Sequence, residues 1–113
     1  RLVRLYQVAD WFVHPTRYDA CANTVLQSMA CGLPGLISVR DGVVDLVEDR
    51  QTGFLLKEPE TAGELASDLK GALGVDESTR LEMGERARAR VVPLTWEAHV
   101  LRWETLLERL PSR

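Results

Sequence analysis

The sequence is poor in the features that mark a specialised chain. Its two cysteines, Cys21 and Cys31, exclude a mini-protein built on disulfides, which needs four or more, and they do not form a Cys-x-x-Cys pair. They read as free, partly buried thiols of a reducing compartment. Glycine (8) and proline (5) are too few for a collagen-like or low-complexity chain. Positive charge is not in surplus: 14 Lys and Arg stand against 17 Asp and Glu, for a net charge of −3. A basic nucleic-acid-binding domain is therefore not expected, because phosphate contacts need an excess of cations. No apolar run approaches the ~20 residues of a membrane helix. No charged-then-apolar leader heads the sequence, so a cytoplasmic location is expected. His14 and His99 lie far apart and carry no ligand spacing, so nothing in the sequence itself argues for a metal, and no cofactor is expected.

What is present is ordinary globular composition, 45% apolar and 27% charged over 113 residues, enough for one small domain. Arg1 in place of methionine reads as a piece of a longer chain. Segments 1–9, 21–31, 60–73, 77–91 and 95–110 carry helical periodicity. In 60–73 the apolar set Ala62, Leu65, Ala66, Leu69, Ala72 and Leu73 forms one stripe, with Gly74 as a stop. Asp76 and Thr95 stand where helix N-caps are expected. The last helix carries Val100, Trp103, Leu106, Leu107 and Leu110 on one side. Trp11, Trp96 and Trp103 are expected to pack, and the arginines of 85–90 to form a solvated face.

Three short runs read as strands: 11–14, 35–39 and 53–56. They are apolar throughout rather than alternating, which suits strands covered on both faces of a parallel sheet. A short helical stretch, 43–48, lies between the second and third. The fold class is therefore α/β, a three-stranded parallel Rossmann-like βαβαβ half-sheet followed by C-terminal helices. Such a small sheet has an exposed edge through which copies can pair.

Chemistry concentrates in 14–34, HPTRYDACANTVLQSMACGLP. A strand ends at His14-Pro15, a polar loop follows, and a helix starts near 20–22. In open α/β sheets, ligands bind at the carboxyl ends of strands. A helix start offers unpaired N–H groups and partial positive charge, a natural seat for phosphate. Asn23 and Thr24 in the first turn add side-chain donors. Asp19 and Gln27, eight residues apart, are offset by about 80° around a helix, so they share roughly one side. Asp19 is either a helix cap or a ligand contact. Gln27 is either a surface residue or a contact to a sugar hydroxyl pair. Of the remaining polar residues, Cys21 near a helix start can have a lowered pKa, but no histidine neighbours it in sequence. His14, Arg17, Ser38, Gly42 and Asp45 are candidates to line or support the site.

The string ADWFVHPTRYDACANTVLQSMACGLP resembles the signature of the family 4 (group 1) retaining glycosyltransferases, enzymes of the two-domain GT-B architecture. That signature has a proline-terminated strand, a glutamate, seven residues, a second glutamate and Ala-Met-Ala-x-Gly-x-Pro. Here Asp19 and Gln27 occupy the acidic positions, ahead of Ser28-Met29-Ala30-Cys31-Gly32-Leu33-Pro34. Asp41-Gly42-Val43-Val44-Asp45 is similar to the family's Gly-Gly-x-x-Glu loop. The segment from Val47 to Gly53 is similar to its Val-Glu-Asp-x-x-Thr-Gly turn, and Thr95-Trp96 to the opening of its last helix.

The resemblance implies that Asp19 contacts the donor sugar or stabilises charge at the anomeric carbon. It implies that the backbone of Ala22, Asn23 and Thr24 holds the donor diphosphate, and that Gln27 binds the ribose hydroxyls. It implies a nucleotide-sugar donor, a hydroxyl acceptor such as a glycan or lipid-linked glycan, and no metal. It implies further that residues 1–113 are the C-terminal part of the donor-binding domain. The phosphate-gripping Arg and Lys and the acceptor domain would then precede residue 1, and this piece alone would be inactive. Three departures stand out: Gln27 in place of glutamate, Asp19 shorter by a methylene, and Arg40-Asp41 where a glycine is usual. They leave a second reading open, a non-catalytic relative that binds a nucleotide or a partner. A sugar-nucleotide epimerase on the same architecture is a third, opposed by the Met-Ala-Cys-Gly-Leu-Pro string.

Overall fold

The computed structural model describes residues 1–111. The elements run α1 (Leu2–Val8), β1 (Phe12–His14), α2 (Asn23–Ala30), β2 (Gly35–Ser38), a 3₁₀ turn (Val44–Leu46), β3 (Gly53–Leu56), α3 (Ala62–Leu73), α4 (Glu77–Val91) and α5 (Trp96–Glu108). The strands form one parallel sheet in the order β1-β2-β3, with Phe12 opposite Gly35 and Gly35 opposite Gly53. The expected βαβαβ unit is therefore present. The helical stretch expected over 43–48 is a single 3₁₀ turn.

The continuous apolar character of the strands has two causes. β2, in the middle, is buried at every residue. On one face Ile37 packs with Val25 and Met29 of α2 and with Ala87 and Val91 of α4. On the other, Leu36 and Leu56 pack with Ala72 of α3, and with Leu65, Leu69, Trp11 and Phe54. The edge strand β1 departs from expectation: it is only half covered, and Val13 is exposed.

α2 ends as its sequence dictates. Gly32, with φ of 74°, takes the left-handed position after the helix. Its N–H donates to the Met29 carbonyl, and Leu33 N–H donates to that of Ser28. This paired closure satisfies the last carbonyls of the helix. α4 crosses directly over it, and a Cβ on Gly84 would overlap the Gly32 carbonyl. The caps at Asp76 and Thr95 form as expected: Thr79 N–H donates to Asp76 at 2.9 Å and Ala98 N–H to Thr95 at 3.1 Å. Thr79 N–H and hydroxyl together hold the Asp76 carboxyl below its ordinary value.

Several further expectations fail or hold only in part. The apolar side of α5 is not packed: Val100, Trp103, Leu106, Leu107 and Leu110 are all exposed, as is Trp96. Only Trp11 of the three tryptophans packs, tilted against Phe54 with ring centroids 5.6 Å apart. The stripe of α3 is only partly used, with Ala72 buried and Leu73 exposed. The arginines of α4 are not simply solvated, since Arg90 reaches Glu48 (3.4 Å) and the Asp45 carbonyl (3.3 Å) and Arg86 reaches Gln51 (3.2 Å).

Candidate functional site

The carboxyl ends of β1 and β2 and the start of α2 meet at one place. The loop after β1 runs beside the loop after β2, and Asp19 and Asp41 form an isolated parallel bridge. Gly42 N–H donates to the Asp19 carbonyl at 2.9 Å. Gly42 has to be glycine, because a Cβ there would overlap the Ala20 carbonyl.

The start of α2 is left open. Ala22 is its N-cap and offers no capping side chain. The nearest acidic groups serve the residues just ahead: Asp19 Oδ1 accepts Cys21 N–H at 3.0 Å, and Asp41 Oδ1 accepts Ala22 N–H at 3.4 Å. Asp19 is therefore not the helix cap its position allowed. Val25 N–H already reaches the Ala22 carbonyl. Among the described residues, the Asn23 and Thr24 N–H groups have no protein acceptor. Both residues are exposed, so the two donors face outward with the positive end of the helix behind them. Of the N–H groups of Ala22, Asn23 and Thr24, that of Ala22 is taken by Asp41 and the other two are without a protein acceptor.

Gln27 is exposed one turn further along. Its Oε1 accepts the hydroxyl of Tyr6 at 3.4 Å. Tyr6 is itself buried on α1, edge-on to Phe12 at 5.9 Å. That contact occupies the Gln27 amide oxygen and leaves the amide nitrogen, a donor, as the uncommitted group of the side chain. Tyr6 went unnoticed in the sequence because it reads as one more apolar position of α1.

Arg17 is exposed in the loop after β1. Ser38 is buried, and its hydroxyl accepts Arg40 N–H at 3.1 Å, shaping the turn after β2. Asp45 is exposed on the 3₁₀ turn. The charge of Arg40 is directed away from the helix start, onto Glu60 at 2.7 Å. Glu60's own backbone N–H, and then the Arg40 guanidinium, hold its carboxyl below the usual range.

Asp41 is the residue that sequence reasoning placed but did not understand. It is fully buried, not a loop charge in solvent. Oδ1 accepts Val43 N–H at 2.9 Å, and Oδ2 lies 3.1 Å from His14 Nε2. Asp19 Oδ2 lies 3.9 Å from the same nitrogen. Only the side-by-side course of the two loops brings Asp41 to the other two, and nothing in their spacing announces it.

A cavity of about 410 Å³ opens between the starts of α2 and α5, lined by Asn23, Cys21, Leu26, Pro93, Trp96 and Arg102 among others. It borders the seat at Asn23 and brings Arg102 into the neighbourhood.

A parallel α/β sheet with an uncapped helix start at its strand ends defines a Rossmann-like unit. Residues 1–90 match the family model described as "Glycosyl transferases group 1", and the chain belongs to that family. It is 34% identical over 108 residues to a D-inositol 3-phosphate glycosyltransferase of Nocardia farcinica, covering 96% of this chain and 23% of that protein. It is 29% identical over 107 residues to a glycogen synthase of Pseudomonas aeruginosa, covering 95% and 21%. Among solved structures, sucrose-phosphate synthase from Thermosynechococcus elongatus superposes with a TM-score of 0.81 at 30% identity, over 93% of this chain and 26% of that one. HepE of Anabaena in complex with UDP shares the fold at 21% identity and a TM-score of 0.77, over 95% and 29%. The fold matches the corresponding part of GT-B glycosyltransferases. The chain spans about a fifth to a quarter of the length of these relatives.

Proposed function

We propose that this chain is the donor-side portion of a retaining family 4 glycosyltransferase, the C-terminal part of its nucleotide-sugar-binding domain. The observation that carries the reading is the open start of α2, where two outward N–H groups stand beside the free Oδ2 of Asp19. In the reaction, the bond between the anomeric carbon and the diphosphate breaks, a bond to an acceptor hydroxyl oxygen forms, and the hydroxyl proton passes to the departing diphosphate. The Asn23 and Thr24 N–H groups, with the helix dipole behind them, stabilise the charge that builds on the departing diphosphate. Asp19 directs its free oxygen to the sugar. Gln27, its amide oxygen taken by Tyr6, donates to a ribose hydroxyl. The acceptor is a glycan or lipid-linked glycan in cell-surface polysaccharide synthesis, handled in the cytoplasm or at the inner face of a membrane. The piece by itself is inactive, since only one wall of a cleft between domains is made by these residues.

Titration calorimetry of the full chain with UDP, GDP and ADP tests this. UDP is the first to try, because the HepE structures are complexes with UDP and UDP-glucose. Saturable binding of one nucleotide or its sugar, weakened by Asp19→Asn, supports the reading. Absence of binding to every nucleotide and nucleotide sugar refutes it. Gln27→Glu is expected to raise nucleotide-sugar affinity, since a carboxylate accepts two hydroxyls in charge-assisted bonds worth about 1–2 kcal/mol. Unchanged or lower affinity removes the ribose assignment and favours a second reading, a non-catalytic relative, which the neutral Gln27 already engaged by Tyr6 points toward.

A further inference from the structure

Asp41 is 1% exposed, and its Oδ2 is buried without a hydrogen bond. Its Oδ1 accepts the N–H of Val43 and that of Ala22, the residue directly ahead of the open donors Asn23 and Thr24. A negative charge is therefore fixed beside the place a diphosphate would occupy, and a like charge there disfavours an anion. A buried, unsatisfied carboxylate oxygen is also costly in itself unless a counter-charge meets it.

The surroundings narrow the source of that counter-charge. His14 Nε2 lies 3.1 Å from Asp41 Oδ2 and is itself buried without a hydrogen bond. Its ring is stacked on Phe12, with 13° between the planes. The contact lacks hydrogen-bonding geometry, which an ion pair at this distance does not need. α2 and β2, both packed against β1, carry no charged residue. Tyr6 of α1 gives its hydroxyl to Gln27, and Cys21 is exposed. Arg40 is directed onto Glu60, and Arg17 is exposed in the loop after β1. Among the described residues, no Lys or Arg pairs with Asp19 or Asp41. The other charge facing the imidazole is Asp19, at 3.9 Å, and it too favours a proton there. A proton on His14 is thus the counter-charge these residues can supply.

We propose that the His14–Asp41 pair links donor binding to proton uptake. With His14 protonated the pair is neutral, and the seat at Asn23 and Thr24 accepts a diphosphate. With His14 neutral, Asp41 keeps an unbalanced charge beside that seat and opposes the anion. The anion therefore draws a proton onto His14, and its affinity rises as pH falls through the range in which histidine titrates. His14 acts through Asp41 in this role and leaves the free oxygen of Asp19 to the sugar. The inference rests on the donor reading above and adds to it a proton taken up with the donor.

The test is calorimetric titration of the full chain with UDP-glucose, or with GDP-glucose or ADP-glucose where that is the one bound. The diphosphate of a nucleotide sugar, a diester, holds both charges across about pH 5–8, where histidine titrates, so the ligand exchanges no proton itself. Buffers of different ionisation enthalpy count the protons. Uptake of a fraction of one proton per nucleotide sugar is expected near neutral pH, with affinity falling about threefold or more from about pH 6 to pH 8. His14→Gln should abolish the uptake and flatten the pH profile. Asp41→Asn keeps an oxygen for the Ala22 and Val43 N–H groups and removes the opposing charge, so its affinity at about pH 8 should exceed that of the natural chain. Circular dichroism checks that each variant folds, and the proton count of the natural chain stands whether or not they do. Donor binding without proton uptake overturns the inference and leaves the donor reading. So does uptake that is unchanged in folded His14→Gln, or an affinity in folded Asp41→Asn no higher than that of the natural chain. Absence of binding by all three nucleotide sugars overturns the donor reading and the inference with it.

Discussion

At its carboxyl end α2 is closed by Gly32, by paired hydrogen bonds from Gly32 and Leu33, and by α4 lying backbone-to-backbone across it. At its amino end an alanine caps it, two N–H groups point outward, and the nearest carboxylates are tied to other donors. One helix thus has an end spent on stability and an end kept free for binding. The lesson is that local saturation separates the two roles: where every polar group is matched, sequence change should cost folding, and where groups are left unmatched, it should cost ligand.

The largest effect is expected at the closed end. Gly84→Ala should destabilise by about 2–3 kcal/mol in urea unfolding, because its Cβ overlaps the Gly32 carbonyl. Gly71→Ala, in the last turn of α3 with nothing near its Cβ, should stabilise by up to about 0.5 kcal/mol in the same assay. If both changes shift stability alike, helix propensity rather than close approach governs and the contrast collapses.

Next comes the open end. Asn23→Pro removes one outward N–H at a first-turn position that tolerates proline, and Ala22 before it is already extended (φ −72°, ψ 106°). The melting temperature should hold, while nucleotide affinity in the full chain should fall about tenfold or more, the worth of one bond to a charged group. A fall in stability with unchanged affinity would reverse the roles assigned to the two ends.

A smaller effect is expected on α5. Leu107→Ala should change stability by less than about 0.5 kcal/mol, as at any exposed site. A loss of several kcal/mol in the full chain would show that the stripe is covered there. The last effect concerns pH. The capping bonds hold the Asp76 carboxyl below its ordinary value of 3.8, so the stability it adds is present above that value and lost as pH falls through the lowered one. Acid titration should therefore show the difference between the natural chain and Asp76→Ala shrinking as pH drops below 3.8.

Legibility followed the range of the interactions. Asp76, Thr95 and Gly74 act on neighbours within a few residues, and each was readable from its position in the chain. The three strands were readable because continuous apolar runs at this spacing suit a buried parallel sheet. Val13 was misjudged as covered, since an edge strand and a central strand can carry the same residues. Trp96 and Trp103 were misjudged as packed, since periodicity says which face is apolar but not whether anything lies against it. Asp41 was noticed as a stray charge and proved to be the most deeply held carboxylate of the site. Tyr6, whose hydroxyl meets Gln27, reads in the sequence only as an apolar position of α1.

The sequence by itself therefore determined the element order, the helix caps, the parallel α/β class and the family resemblance. All of these rest on hydrophobic period, on bonds between near neighbours, or on a contiguous motif. Only the tertiary structure decided that the loops after β1 and β2 run side by side, bridged at Asp19, Asp41 and Gly42. That pairing gathers His14, Asp19 and Asp41 around one point, while Asn23 and Thr24 stay the open donors of α2. Asp41 meets His14 and Asp19, far from it in sequence, because the sheet stacks their strand ends side by side, and no pattern along a single chain encodes that meeting.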